Sequence, residues 1–216
     1  LTQGDDVFVG KLLGAAALGL YQMAYTISNL PSTELTSVLN RVTFPAFSKV
    51  QSNPTRLRRL FLRSFSIAAA DAIPIAGEIF VLAEELTWVL LGPQWMPMVP
   101  TMQVLAVWGC IRALGGSTSP LLQALGRPHL ITLFHLIMVV LLIIFIYPLT
   151  MQWGILGTGL AVAVGNFIVH WFRYPIIARE IQSPSWAIYR LVLLPFIATV
   201  AMVGATFVLK SSLGIF

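Results

Sequence analysis

The sequence predicts an all-α membrane protein, a polytopic helix bundle with about six transmembrane helices and part of a seventh. Composition is the first observation, since 57% of the 216 residues are hydrophobic and 10% are charged, against about 25% charged in an ordinary globular chain. The second is that positions 128–172 contain no Asp, Glu, Lys or Arg. One span through a hydrocarbon core about 30 Å thick needs roughly 20 apolar residues. The uncharged run is therefore long enough for two spans and a turn.

The other helices are predicted from low-charge stretches that end at short breaks containing Pro, Gly and polar residues. The uncharged run itself divides at positions 148–154. Links this short require neighbouring helices to be antiparallel. We predict spans near 18–46, 62–90, 98–122, 129–148, 153–173 and 187–209.

The first residues are a separate case, because residues 5–14 are too few to cross a bilayer yet lead directly into the next span. No basic segment followed by a cleavage site precedes them, so a signal peptide does not explain the start. We predict that residues 1–14 are the remnant of a truncated transmembrane helix and that residues 15–210 form one transmembrane lobe. The N-terminal part of a larger protein is expected to be missing.

The basic residues of the links predict the orientation of the bundle. Basic links alternate with uncharged links along the chain, which by the positive-inside rule places links 49–63, 126–129 and 174–190 in the cytoplasm. Aromatic residues at the predicted helix ends agree with an interfacial belt on each side: Trp88, Trp95, Tyr147 and Trp153 outside, and Trp171, Tyr174, Trp186 and Tyr189 inside.

The net charge of +5 does not indicate a nucleic-acid partner, because most basic residues lie in links that the topology requires to be basic. Attraction to anionic lipid of the inner leaflet is expected instead at Arg56, Arg58 and Arg59. We therefore predict membrane lipid as a partner and no nucleic acid.

Polar residues form a stripe on the first full span, at steps of three or four that place them on one helix face. Two interpretations stay open for this stripe, hydrogen bonding between helices and the lining of a wet cavity. The members are Gln22, Tyr25, Asn29, Ser32, Thr36 and Asn40.

Acidic residues mark the second span, where Asp71 and Glu78 are seven residues apart and share one line with Ser64 and Glu85. A charge at the centre of a membrane helix costs about 2.5–3.5 kcal/mol, so such a residue normally faces protein or water. Asp71 and Glu78 are the candidates for ion coupling.

Arg112 on the third span is the strongest single candidate for function. A guanidinium cannot lose its charge and binds carboxylate or phosphate through two parallel hydrogen bonds. The sequence leaves three possibilities, namely an ion pair with Asp71 or Glu78, contact with an anionic ligand, and snorkelling to the membrane surface. No nucleophile elbow, phosphate loop or metal-ligand spacing occurs, so neither catalytic residues nor a metal or cofactor are predicted.

Several strings of the sequence resemble the second half of the bacterial polysaccharide flippases of the Wzx type, which export O-antigen and colanic acid units. The most specific is RVTFPAFSKVQ at positions 41–51. The others lie at positions 18–25, 91–95, 112–116 and 126–127.

The resemblance implies the C-terminal lobe of a two-lobed flippase of the multidrug/oligosaccharidyl-lipid/polysaccharide exporter superfamily. Such a protein lies in the bacterial inner membrane and moves undecaprenyl-diphosphate-linked oligosaccharide outward through a central cavity. It also implies that Arg41 and Arg112 are cavity residues facing the diphosphate or acidic sugars, beside the polar stripe that includes Gln22 and Asn40. Asp71 and Glu78 match no pattern of this family.

Two other functions remain possible from the sequence. The first is a cation- or proton-coupled antiporter of small molecules from the same superfamily, with Asp71 and Glu78 as its ion site. The second is a membrane-embedded polysaccharide polymerase or ligase, which would need a long outer loop or an aqueous domain to hold acceptor sugars. The outer links predicted here are only a few residues long, which disfavours the enzyme.

Overall fold

The structure is a computed structural model that describes the backbone of residues 4–213 and the side chains of residues 4–29 and 43–210. All regular elements in this part of the chain are helical, with one 3₁₀ turn at Pro93–Met98. The α-helices are α1 Gly4–Leu13, α2 Ala15–Val50, α3 Pro54–Val81, α4 Ala83–Leu90, α5 Val99–Gly115, α6 Thr118–Ala124, α7 Pro128–Glu180 and α8 Ser185–Leu213.

The outer surface of the bundle is apolar. In the described residues, four helical segments are long and apolar enough to cross a membrane, namely Pro54–Val81, Pro93–Ala124, Pro128–Glu180 and Ser185–Lys210. Large apolar side chains on α7 and α8 face outward, among them Ile143 at 62% and Leu194 at 76% exposure. Such a surface would not be stable in water, and the chain is a multi-pass membrane protein.

Helix α7 is a hairpin of two helices that turn at Gly154. This glycine has φ 59° and ψ −135°, a conformation that residues with a Cβ rarely adopt. The two arms then pack against each other, since the hydroxyls of Thr150 and Thr158 are 2.8 Å apart and buried. A Cβ at Gly157 would overlap the carbonyl oxygen of Leu149, so the two backbones are in direct contact there.

Two other predicted spans are interrupted near one end. The stretch predicted at 62–90 is α3 followed by α4, with the break at Leu82. The stretch predicted at 98–122 is α5 followed by α6, with the break at Gly116 and Ser117. At the start of α3, the Asn53 side chain accepts a hydrogen bond from the Arg56 amide, which caps an otherwise unpaired helix end.

The bundle has two apolar cores. One lies among α2, α3, α5, α6, α7 and α8 and contains the tilted, neighbouring rings of Phe47, Phe61 and Phe65. The other joins α1, α2 and α5 and contains Tyr21 and Met102. Helix α3 packs against both α5 and α8, and α2 packs against α5. The contact between α2 and α5 positions the polar residues of the candidate site.

The close contact at Gly157 predicts that added volume is destabilising there. Gly157→Ala should lower the melting temperature of the purified protein, because overpacking costs about 1–3 kcal/mol. Gly204→Ala is the matched control, since nothing lies within 4 Å of a Cβ at that glycine. Equal melting temperatures for the two variants would contradict the packing at the α7 turn.

The orientation predicted from the links can be tested at two exposed positions, Ser52 and Gln94. In intact cells, a membrane-impermeant maleimide should label Gln94→Cys and leave Ser52→Cys unlabelled until the membrane is opened. The unmodified chain is the control, because its Cys110 is half-buried within α5. Labelling of Ser52→Cys in intact cells would show that the orientation is the reverse of the predicted one.

Candidate functional site

Arg112 lies where α5 contacts α2, and its side chain is half-buried. Its Nη1 donates a hydrogen bond of 3.3 Å to the Tyr25 hydroxyl. Its guanidinium carbon is 5.0 Å from the centre of the Trp108 ring, within the range of a cation–π interaction. The Tyr25 and Trp108 rings are themselves 5.2 Å apart. Two aromatic rings and one hydroxyl thus hold the guanidinium in place.

Two acidic residues of α1 extend this polar cluster. The Tyr21 hydroxyl donates a 2.8 Å hydrogen bond to Oδ2 of Asp5, and both side chains are buried. The Gln22 amide lies 3.4 Å from Oδ2 of Asp6. Of the predicted stripe of α2, Gln22 therefore contacts α1 and Tyr25 contacts α5. Tyr21, which was not predicted, also contacts α1. We refer to Asp5, Asp6, Tyr21, Gln22, Tyr25 and Arg112 as the polar cluster.

The rest of the predicted α2 stripe is only partly described. Asn29 is buried and donates 2.9 Å to the carbonyl of Tyr25, which is a bond within its own helix. Ser28, which was not predicted, donates 2.9 Å to the carbonyl of Met102 on α5. Asn40 and Arg41 lie outside the residues whose side chains are described, so their roles remain predictions.

Neither Asp71 nor Glu78 forms an ion pair with Arg112. Glu78 faces α8, where its Oε1 is 3.4 Å from the Thr206 hydroxyl. One turn beyond α3, Glu85 forms an ion pair with Lys210 of α8. Asp71 is half-buried and forms no ion pair among the described residues. The acidic line of the second span is thus directed mainly towards α8.

The predicted ion pair between Arg112 and one of these acids is absent from the structure. Ion pairs among the described residues are Arg127 with Glu180 and Lys210 with Glu85. Contact of Arg112 with an anionic ligand stays a prediction.

Sequence reasoning missed Asp5 and Asp6, because residues 1–14 were interpreted only as a remnant of a helix. A signal was present, since adjacent acids in an apolar segment must face protein or water. Oδ1 of Asp5 is buried without a hydrogen-bond partner. No group of three or more His, Cys, Asp or Glu side chains that could hold a metal occurs in the described part of the chain.

The contact between Arg112 and Tyr25 predicts a measurable coupling energy. In a double-mutant cycle with Arg112→Met and Tyr25→Phe, the coupling in the free energy of unfolding should fall in the range of about 0.5–3 kcal/mol. The matched cycle with Arg112→Met and Glu78→Gln should give a smaller value, because those side chains occupy different helix interfaces. A larger coupling to Glu78 than to Tyr25 would contradict the arrangement.

Comparison with known proteins identifies relatives of this chain. A family model described as polysaccharide biosynthesis protein matches residues 1–100. The lipopolysaccharide biosynthesis protein WzxC of Escherichia coli K12 is 27% identical over 215 residues, 99% of this chain and 43% of that protein. The teichuronic acid biosynthesis protein TuaB of Bacillus subtilis 168 is 26% identical over 202 residues, 92% of this chain and 41% of that protein.

A third relative is the succinoglycan biosynthesis transport protein ExoT of Rhizobium meliloti 1021, 25% identical over 125 residues, 58% of this chain and 25% of that protein. No solved structure matches. The chain spans less than half the length of these relatives. The matches confirm the resemblance predicted from the sequence: the chain is similar to proteins of polysaccharide biosynthesis, WzxC among them.

Proposed function

We propose that this chain is one lobe of an exporter that carries lipid-linked oligosaccharide outward across the bacterial inner membrane. The single observation that carries the proposal is the polar cluster between α2 and α5, where Arg112 and Tyr25 meet inside an otherwise apolar bundle. A lobe that only anchored a protein would have no use for a half-buried guanidinium at a helix interface, given the cost of such a charge.

The substrate class follows from the chemistry of that guanidinium. A diphosphate linkage presents several anionic oxygens, and arginine binds such oxygens through two parallel hydrogen bonds. Tyr25 supplies an adjacent hydroxyl that either donates to or accepts from a sugar hydroxyl. We infer that Arg112 contacts the diphosphate or an acidic sugar, and that Arg41, Gln22, Asn29 and Asn40 belong to the same cavity.

Transport by alternating access requires a second lobe. Transporters of this kind expose a central site by moving one repeat or helix bundle against another. The chain spans 43% of WzxC and 41% of TuaB, which supports the proposal that it corresponds to the C-terminal lobe of such a protein. An opposing N-terminal lobe would supply the second wall of the cavity.

A cation-coupled antiporter with Asp71 and Glu78 as its ion site is supported less well. The two acids are seven residues apart, about 10 Å along a helix, and Glu78 is near Thr206 on α8. Two carboxylates at that separation do not share one ion. The polymerase or ligase gains no support from the described residues either, because no long outer segment separates α4 from α5.

Export can be measured by complementation. In a bacterial host that lacks its own polysaccharide flippase, this chain alone should restore no surface polysaccharide. Co-expression of this chain with the N-terminal half of the flippase that was removed from the host should restore part of the surface polysaccharide. Arg112→Lys should then lower export while protein abundance in the membrane stays normal, because lysine retains the charge and loses the two-pronged geometry of arginine.

Arg190→Lys is the matched control, since Arg190 is exposed and its guanidinium lies over Trp186. It should leave export unchanged. Full restoration by the chain alone would refute the need for a second lobe. Normal export by Arg112→Ala would refute the role of Arg112 in substrate binding.

A further inference from the structure

A second arginine, Arg173, is buried more deeply than Arg112 and belongs to a different set of contacts. It is 8% exposed and sits within α7, against the junction of α5 and α6. Its Nη1 donates 3.2 Å to the Thr118 hydroxyl, and its guanidinium carbon is 4.9 Å from the centre of the Phe134 ring. Neither partner carries a negative charge, and no carboxylate of the described residues is within ion-pair distance of it.

Such an arrangement leaves a full positive charge without compensation. A guanidinium has five N–H donors and stays protonated in proteins. Burial of an unpaired charge is strongly unfavourable, and Nε of Arg173 has no hydrogen-bond partner. The nearest acid along α7, Glu180, is already bonded to Arg127 at 2.6 Å.

The same neighbourhood contains three more buried polar atoms without a hydrogen-bond partner: Ser117 Oγ, His170 Nε2 and Tyr174 Oη. Ser117 precedes Thr118 in the chain, and the His170 and Tyr174 rings are 5.8 Å apart. His170 also approaches the end of α5, where a Cβ at Gly115 would overlap its Nε2. Native proteins leave few such atoms unpaired, so three of them near Arg173, in addition to its own Nε, indicate a missing ligand.

The position of this cluster in the bilayer indicates what the ligand is. Arg173 is about 28 Å along the helix from the turn at Gly154, which places it near the opposite membrane interface. That interface carries the basic links and is cytoplasmic by the positive-inside rule. Trp171 and Phe172, directly before Arg173, are 57% and 64% exposed, so the adjacent surface of α7 faces lipid.

We propose that Arg173, together with the side chains of Ser117, Thr118 and Tyr174, binds the phosphate group of an anionic lipid from the cytoplasmic leaflet. Phosphate oxygens accept from the arginine fork and from hydroxyls, and a lipid with net negative charge neutralises the buried cation. The site is separate from the polar cluster and does not depend on the proposed export function.

The test uses the purified 216-residue chain in a neutral maltoside detergent, with dioleoyl phosphatidylglycerol or dioleoyl phosphatidylcholine added. Phosphatidylglycerol should raise the melting temperature, and native mass spectrometry should show it retained, whereas phosphatidylcholine should have little effect. Arg173→Met should weaken the binding of phosphatidylglycerol roughly tenfold or more, as expected when charge-assisted hydrogen bonds are lost. Arg190→Met is the control, because it removes an exposed charge near the same interface.

Ser117→Ala keeps the proposal testable if Arg173→Met does not fold. The Ser117 hydroxyl is buried without a partner, so its removal should leave the lipid-free melting temperature equal or higher while the gain from phosphatidylglycerol shrinks. An unchanged lipid effect in both Ser117→Ala and Arg173→Met would overturn the site. Sodium phosphate that stabilises the chain as strongly as phosphatidylglycerol, and displaces it, would overturn the lipid as the source of the phosphate.

Discussion

The bundle depends on one constraint: a polar group within hydrocarbon finds no water, so the protein itself must supply its partner. Most short polar side chains meet this constraint by bonding to the carbonyl four residues earlier in their own helix. Thr26, Thr87 and Asn166 all do so. These side chains are satisfied locally and contribute nothing to specificity between helices. The groups that reach across an interface are therefore the informative ones.

Charged groups meet the constraint in two different ways. At the ends of the bundle, acids and bases pair directly, as Arg127 does with Glu180 and Lys210 with Glu85. Within the bundle, Arg112 and Arg173 each donate a hydrogen bond to a hydroxyl. Each guanidinium also lies within cation–π distance of an aromatic ring. At Arg173, a ring and a hydroxyl orient the guanidinium without neutralising it, so its capacity to attract an anion is preserved.

The sequence predicted the parts of the fold that depend on hydropathy and local geometry. The uncharged run at positions 128–172, which contains Gly154, is long enough for two spans and predicts a helical hairpin. Helical spacing predicted that Gln22 and Tyr25 share one face. It could not show which neighbour that face meets, because periodicity describes a single helix. For this reason Asp5 and Asp6 were missed, the contact of Glu78 with α8 was not foreseen, and Tyr174 was placed in the interfacial belt although it is buried.

The division of charges between two interfaces bears on how such a lobe can move. Polar contacts at Glu78 of α3 and Glu85 of α4 join these helices to α8, and a Cβ at Gly77 would overlap Thr199 of α8, so α3 and α8 are closely fitted. The described residues of α2 and α5 are joined by hydrogen bonds, one of 2.9 Å from Ser28 to the Met102 carbonyl and one of 3.3 Å from Arg112 to Tyr25. A weak polar contact costs less to open than an ion pair in close packing. Parting α2 from α5 is therefore the less costly way to expose Arg112 to a ligand, because it leaves the contacts of α8 with α3 and α4 in place.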